Sequence, residues 1–360
     1  MRLRAVSLGE AVPRETFDAE IQSVFESAVN LRLAKEDRLV TVLISDQYEL
    51  PQGIRIWTKD LSLRTLNPGL RAAARGGILR FDSSPLVVDL RGAPVWKCRV
   101  PQIAADMRSS VVIQGWSTAW ELLNGQQRLK RTDIVADDLF QLDAGSLLNQ
   151  RLSRSILQLV SDAEEFAVPA ATRAAEKLIG LGPGVTPSGD DILIGFLAGL
   201  WSMAGEDPVR LSFIHSFGAD LVQLARQTGE ISRTYLYHAA QGQFSSRLSN
   251  LAEAIAYGKH VELMVREALC VGHSSGMDSV TGLLIGLCVW NNPSPLHPSP
   301  AGEGTGVKAR ITYGNFTTYD QKSLPRLGVA DAIFGEAARA GGNHTSLGGD
   351  GDGEQYRSTG

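Results

Sequence analysis

The chain repeats itself once without a gap: SGDDILIGFLAGL (188–200) recurs as SGMDSVTGLLIGL (275–287), both reading SGxDxxxGxLxGL. The apolar residues in each copy fall at helical spacing, so each copy predicts a helix. Gly195 and Gly199, and again Gly282 and Gly286, stand one turn apart on one face. A glycine inside a helix costs about 1 kcal/mol relative to alanine. Close approach of a second helix offsets that cost, so the two glycine faces are expected to pack on each other. Both helix starts then arrive at one end of the pair, in a domain made of two related halves about a pseudo-two-fold axis.

Ser188 and Ser275 are followed three positions later by Asp191 and Asp278, the S-x-x-D form of a helix N-cap. The segments before them, LGPGVTP (181–187) and GHS (272–274), hold more glycine and hydroxyl groups than capping needs. Glycine lets backbone approach a ligand, successive N–H groups form an anion nest, and the positive helix end adds attraction. Gly182, Gly184, Thr186, Ser188, Gly189 and Asp190 in the first copy, with Gly272, Ser275 and Gly276 in the second, are therefore candidate ligands of a phosphate or carboxylate. Two well-capped tight turns are the alternative reading. His273, Ser274, Asp191 and Asp278 are the candidate catalytic groups, His273 because its ordinary pKa suits acid–base work. Between the copies, Ser232 is a plausible cap, and Arg233 supplies a cation that could engage an anion bidentately. No metal or cofactor is required, although Asp190 and Asp191 could hold Mg2+ beside a phosphate.

The rest of the chain frames this domain as α+β. From the start to about Asp143, LVTVLIS (39–45), GIRIW (53–57), GILRF (77–81), LVVDL (86–90) and SVVIQ (110–114) read as strands parted by turn signals. Residues 1–145 are thus expected to form a β-rich barrel or sandwich, with short helices near 62–75 and 117–130. Residues 146–292 form a mainly α-helical domain, with helices at about 145–165, 169–179, 191–204, 208–226, 231–241, 247–257, 260–271 and 278–290. Residues 293–360, opening PSPLHPSPAGEGTG after Asn292, are a low-complexity tail expected to be disordered.

A net charge of -4 disfavours broad attraction to nucleic acid or an anionic membrane surface. The longest apolar run, Ile192 to Ala204, is shorter than the roughly 18 to 20 residues of a membrane span. The N-terminal segment has no signal-peptide pattern, so a cytoplasmic location is expected. Cys98, Cys270 and Cys288 lack CxxC spacing and read as buried free thiols.

Gly272-His273-Ser274-Ser275-Gly276 also matches G-x-S-x-G, the nucleophile elbow of a serine hydrolase. That elbow needs a strand before the serine, whereas 260–271 has helical spacing, and the later histidines, His297 and His344, fall in the tail. Walker A, spaced GxGxxG and HExxH patterns are absent.

LIGLGPGVTPSGDDILIGFLAGL (178–200), TGEISRTYLYHAAQGQFSSRL (228–248) and VGHSSGMDSVTGLLIGL (271–287) resemble the AllH family, and the resemblance spans most of residues 20–290. It implies a subunit of oxamate carbamoyltransferase acting with FdrA-type and AllG-type partners in allantoin and purine-nitrogen catabolism. The implied reaction is phosphorolysis of oxalurate to oxamate and carbamoyl phosphate, all small anions. A non-catalytic scaffold or ligand-sensing subunit is the alternative within the same family.

Overall fold

A computed structural model describes residues 1–45, 47–58, 61–140 and 146–290. The expected tail, 293–360, lies outside the described residues. Strands β1 (Arg2–Gly9), β2 (Phe17–Val24), β3 (Ala28–Leu33), β4 (Leu39–Ile44), β5 (Gly53–Ile56), β6 (Arg71–Arg75), β7 (Ile78–Phe81) and β8 (Val87–Asp89) close into a barrel. Closure is made by β1, which pairs antiparallel with β5 and parallel with β8. The short β9 (Val95–Trp96) adds to β1 outside the ring. A ring of eight strands leaves an interior that side chains fill. Here Ile21, Leu31, Val42, Ile54, Leu79 and Val88 fill it.

Barrel and sandwich were both open from sequence, and the β1–β5 pairing selects the barrel. β2 shows the alternation that encodes it: Phe17, Ala19 and Ile21 are buried while Asp18 and Glu20 are exposed. The helix expected near 62–75 does not form. Leu63–Thr65 is one 3-10 turn and Arg71–Arg75 is β6, with Ala72 and Ala74 buried between β2 and β7. Alanine favours a helix locally, but two flanking strands satisfy this backbone better.

Nine α-helices follow among the described residues: α1 (Ser110–Lys130), α2 (Leu147–Glu164), α3 (Val168–Glu176), α4 (Ser188–Ala204), α5 (Pro208–Leu224), α6 (Glu230–Ala239), α7 (Ser246–Tyr257), α8 (Val261–Leu269) and α9 (Ser275–Gly286). The strand expected at 110–114 is instead the first turn of α1. Val112, Trp116, Ala119, Trp120 and Leu123 bury one helical stripe, and strand alternation fails at Gln114, which is exposed beside exposed Ile113. One apolar core runs from Cys98 to Trp290, so α1, expected within the β half, packs with the helices. At its centre α4 is buried along its whole length, as an apolar helix without a polar face must be. Of the cysteines, Cys98 is buried, while Cys270 and Cys288 are only half-buried; all three are free.

Candidate functional site

The repeat is a pair of parallel helices, α4 and α9, related by an internal two-fold. Its evidence is reciprocal. A Cβ on Gly195 would fall 1.9 Å from the Ser279 carbonyl oxygen and 2.8 Å from the Leu283 nitrogen. A Cβ on Gly282 would fall 2.0 Å from the Ile192 oxygen and 2.7 Å from the Phe196 nitrogen, the matching atoms of the other copy. Gly199 and Gly286 meet each other directly. Backbone-to-backbone contact is thus what the glycines are for, and it brings both helix starts to one end.

At that end the expected caps are displaced by one residue. Ser188 and Ser275 are the first helical residues, and Pro187 and Ser274 precede them with no side-chain cap. The amides expected to cradle an anion are turned back onto loop carbonyls. Gly189 N–H donates to Leu181 O and Gly276 N–H to Val271 O, each at 2.8 Å. Asp190 and Asp191 N–H groups donate to Pro187 O, and Asp278 N–H to Ser274 O. A Cβ on Gly189 or Gly276 would strike the carbonyl of Leu178, in the turn after α3, or of Ala268 in α8, so these glycines admit preceding backbone of their own half rather than a ligand.

The side chains freed from capping cross between the halves. Thr186 Oγ1 and Ser275 Oγ are 2.7 Å apart. Asp191 on α4 faces Ser275 and Thr186, while Asp278 on α9 faces Ser188 and Ser274. Burial, with the charge of Asp278, holds the Asp191 carboxyl well above its ordinary range, and burial pushes Asp278 up to about 7. Asp190 is tied elsewhere: its carboxylate accepts from Gly180 N–H at 2.8 Å and Thr228 Oγ1 at 2.5 Å, with Ser232 beside it. That leaves Asp190 joining α4 to the start of α6. Among the described residues no three metal-binding side chains cluster.

Beneath the paired helix starts lies a small cavity of about 60 Å3. It is lined by Asp191, Ser275 and Gly276 of the paired helices, by His238 and Arg247, and by Tyr48 and Pro51 of the barrel. The barrel loop is fixed there by two backbone ties, Glu49 N–H to Ser246 Oγ at 3.0 Å and Ser246 N–H to Glu49 O at 2.9 Å. Arg247 lies over the Tyr48 ring, 5.1 Å from its centroid. His238 Nδ1 meets Gln243 Oε1 at 2.9 Å, and burial lowers the imidazole pKa to about 4, so it is neutral at pH 7. Three buried atoms of the lining have no hydrogen-bond partner among the described residues: Asp191 Oδ2, His238 Nε2 and Arg247 Nη1. Buried polar groups are almost always satisfied, so three around one cavity mark a place for a ligand or its water. A larger open groove of about 770 Å3, lined by Glu10, Lys97, Arg99 and Glu253, has no such atom.

The sequence candidates divide accordingly. Asp191, Ser275 and Gly276 reach the cavity; Thr186, Ser188, Ser274 and Asp278 stand directly behind them. Gly182, with φ +119°, packs on the Ser188 nitrogen, and Gly184, with φ +97°, sits in the exposed tip of its loop. Gly272 is a left-handed turn residue and His273 is exposed, outside the cavity lining. Arg233 is occupied by Asp37 at 2.8 Å and Glu230 at 3.7 Å. Helix α8, not a strand, leads into Ser274, so the hydrolase elbow geometry is not built. Tyr48, Tyr235, His238, Gln243 and Arg247 were missed as site residues. Tyr235 and His238 nevertheless share an i, i+3 face of α6, a spacing visible in YLYH.

No solved structure matches the chain. The family model for the AllH family N-terminal domain matches residues 4–95, which contain the barrel with Tyr48 and Pro51. The model described as oxamate carbamoyltransferase subunit AllH matches residues 178–287, which contain both halves of the repeat and the rest of the cavity lining. With both of its folded halves matched, the chain belongs to the AllH family, the family named for a subunit of oxamate carbamoyltransferase.

Proposed function

We propose that this chain is the substrate-binding subunit of an oxamate-type carbamoyltransferase complex, and that the cavity beneath α4 and α9 holds its small carboxylate substrate. The carrying observation is the set of unpartnered buried atoms around that cavity, within the segments that match the family. Arg247 offers a cation for a carboxylate, with Tyr48 stacked beneath its guanidinium. Asp191 at a helix start would repel an anion if ionised; burial and the neighbouring Asp278 shift its carboxyl toward the protonated form, which can donate.

In the direction of oxalurate breakdown, a phosphate oxygen attacks the terminal carbamoyl carbon and forms the C–O bond of carbamoyl phosphate. The C–N bond to the oxamate nitrogen breaks, and that nitrogen takes the proton carried in by hydrogen phosphate. Such a step needs two anions held together and directed donors on the developing oxyanion. FdrA-type and AllG-type subunits supply the rest of the site in this reading. A complex reconstituted with those partners is expected to release carbamoyl phosphate from oxalurate only when phosphate is present. Arg247→Ala should lower kcat/KM for oxalurate at least about tenfold, as loss of a charge-assisted contact does. Absence of phosphate-dependent turnover in the wild-type complex would end the proposal.

A further inference from the structure

We infer that His238 is the specificity-determining acceptor of the cavity, its bare Nε2 taking an N–H of the ligand while Arg247 takes the carboxylate. The inference rests on the proposed function and deepens it, because it says how the site would tell an amide-bearing carboxylate from a dicarboxylate of the same size.

The argument begins with the hydrogen bond on the other side of the ring. With the Gln243 amide turned so that Oε1 faces Nδ1 at 2.9 Å, Oε1 accepts and Nδ1 carries the imidazole proton. The remaining nitrogen, Nε2, then presents a lone pair, buried and without a partner among the described residues. Gln243 N–H also donates to His238 O at 2.9 Å, which holds the two backbones together across the end of α6. Low basicity keeps the ring from gaining a second proton at neutral pH.

An unpaired buried acceptor accepts a ligand N–H and opposes a ligand oxygen, whose lone pairs would face its own. In the same lining Arg247 Nη1 is a buried donor with no partner among the described residues. A cavity of about 60 Å3 has space for roughly four to six water-sized volumes, which limits the ligand to a compact one. The site therefore asks for one compact ligand that carries both a negative acceptor and an N–H.

The test is calorimetric titration of the full chain, with its partner subunits present, against oxamate and against oxalate, which replaces the amide by a second carboxylate. Wild type is expected to bind oxamate about ten- to a hundredfold tighter than oxalate, the penalty of leaving a buried group unpaired. His238→Phe should bring the two affinities within about threefold, and His238→Gln, which restores a carbonyl acceptor, should recover part of the preference. Nitrogen-15 NMR of the imidazole, which needs no variant to fold, should show the proton on Nδ1. Equal affinity of wild type for the two ligands, a preference that survives His238→Phe, or a proton on Nε2 overturns the inference and leaves the proposed function standing. Failure of wild type to bind either ligand removes the proposed function and the inference together.

Discussion

Asp191 and Asp278 occupy matched positions of the repeat, yet each is buried with one carboxyl oxygen unpartnered, and each answers burial by resisting ionisation. For Asp278 the consequence for stability has a definite sign. Its pKa is about 7 in the folded chain against an ordinary value of 3.8, so the fold favours the protonated form. The stabilisation from that preference is full below about pH 4 and fades as pH rises through 7. Asp278→Asn should remove the dependence, raising stability relative to wild type at pH 8 and not at pH 4. The difference is on the order of 4 kcal/mol at most, by urea unfolding at the two pH values. His238 acts in the opposite sense: its depressed pKa contributes stability above about pH 6.5 that is lost as pH falls through 4. His238→Gln should therefore flatten the acid side of the wild-type profile. The spacing S-x-x-D was legible in the sequence, but the role of these aspartates was not, because capping and burial against a second copy share one spacing.

At the level of elements, the glycines of α4 and α9 carry the clearest information in the chain. The expectation that their faces meet, and that both helix starts lie at one end, holds in the structure because a glycine in a helix needs a reason and close approach supplies it. Gly282→Ala would place a methyl group 2.0 Å from the Ile192 oxygen, and helix backbone cannot yield locally. Thermal or urea unfolding is expected to show a loss of at least about 3 kcal/mol, the upper range of overpacking. Gly125 in α1 is the control, exposed and with nothing near its missing Cβ; Gly125→Ala should gain up to about 1 kcal/mol. If both substitutions are equally harmless, the backbone contact is not what holds the pair. The failures of sequence reading at this scale, β6 read as helix and the start of α1 read as strand, fall on short runs. There, local preference was outvoted by neighbours distant in the chain, Ala72 and Ala74 by two strands and Val111 by the stripe that follows it.

Across the whole molecule, the barrel closes one side of the site in the helices. Tyr48 and Pro51 line the cavity, Leu39 N–H donates to Thr234 Oγ1, and Arg32 grips Glu230 through Nε and Nη2, both at 2.7 Å. Arg32 is 42% exposed, so water and salt screen this fork. A double-mutant cycle on Arg32→Ala and Glu230→Ala should give a coupling of about 1 kcal/mol or less that shrinks further in 1 M salt. A larger, salt-insensitive coupling would mean that the fork sets the seating of barrel on helices. None of the described helices is long and apolar enough to cross a membrane. From the order of its residues alone, this chain determined an α+β division, a duplicated helix and the tight contact that its glycines require, since periodicity and the cost of glycine are local properties. Closure of the barrel, the turning of loop amides onto their own carbonyls, and the gathering of Tyr48, His238 and Arg247 around one cavity came from packing. Those groups lie up to 199 positions apart in the numbering, Tyr48 to Arg247, and no local pattern records which distant backbone will satisfy a donor first.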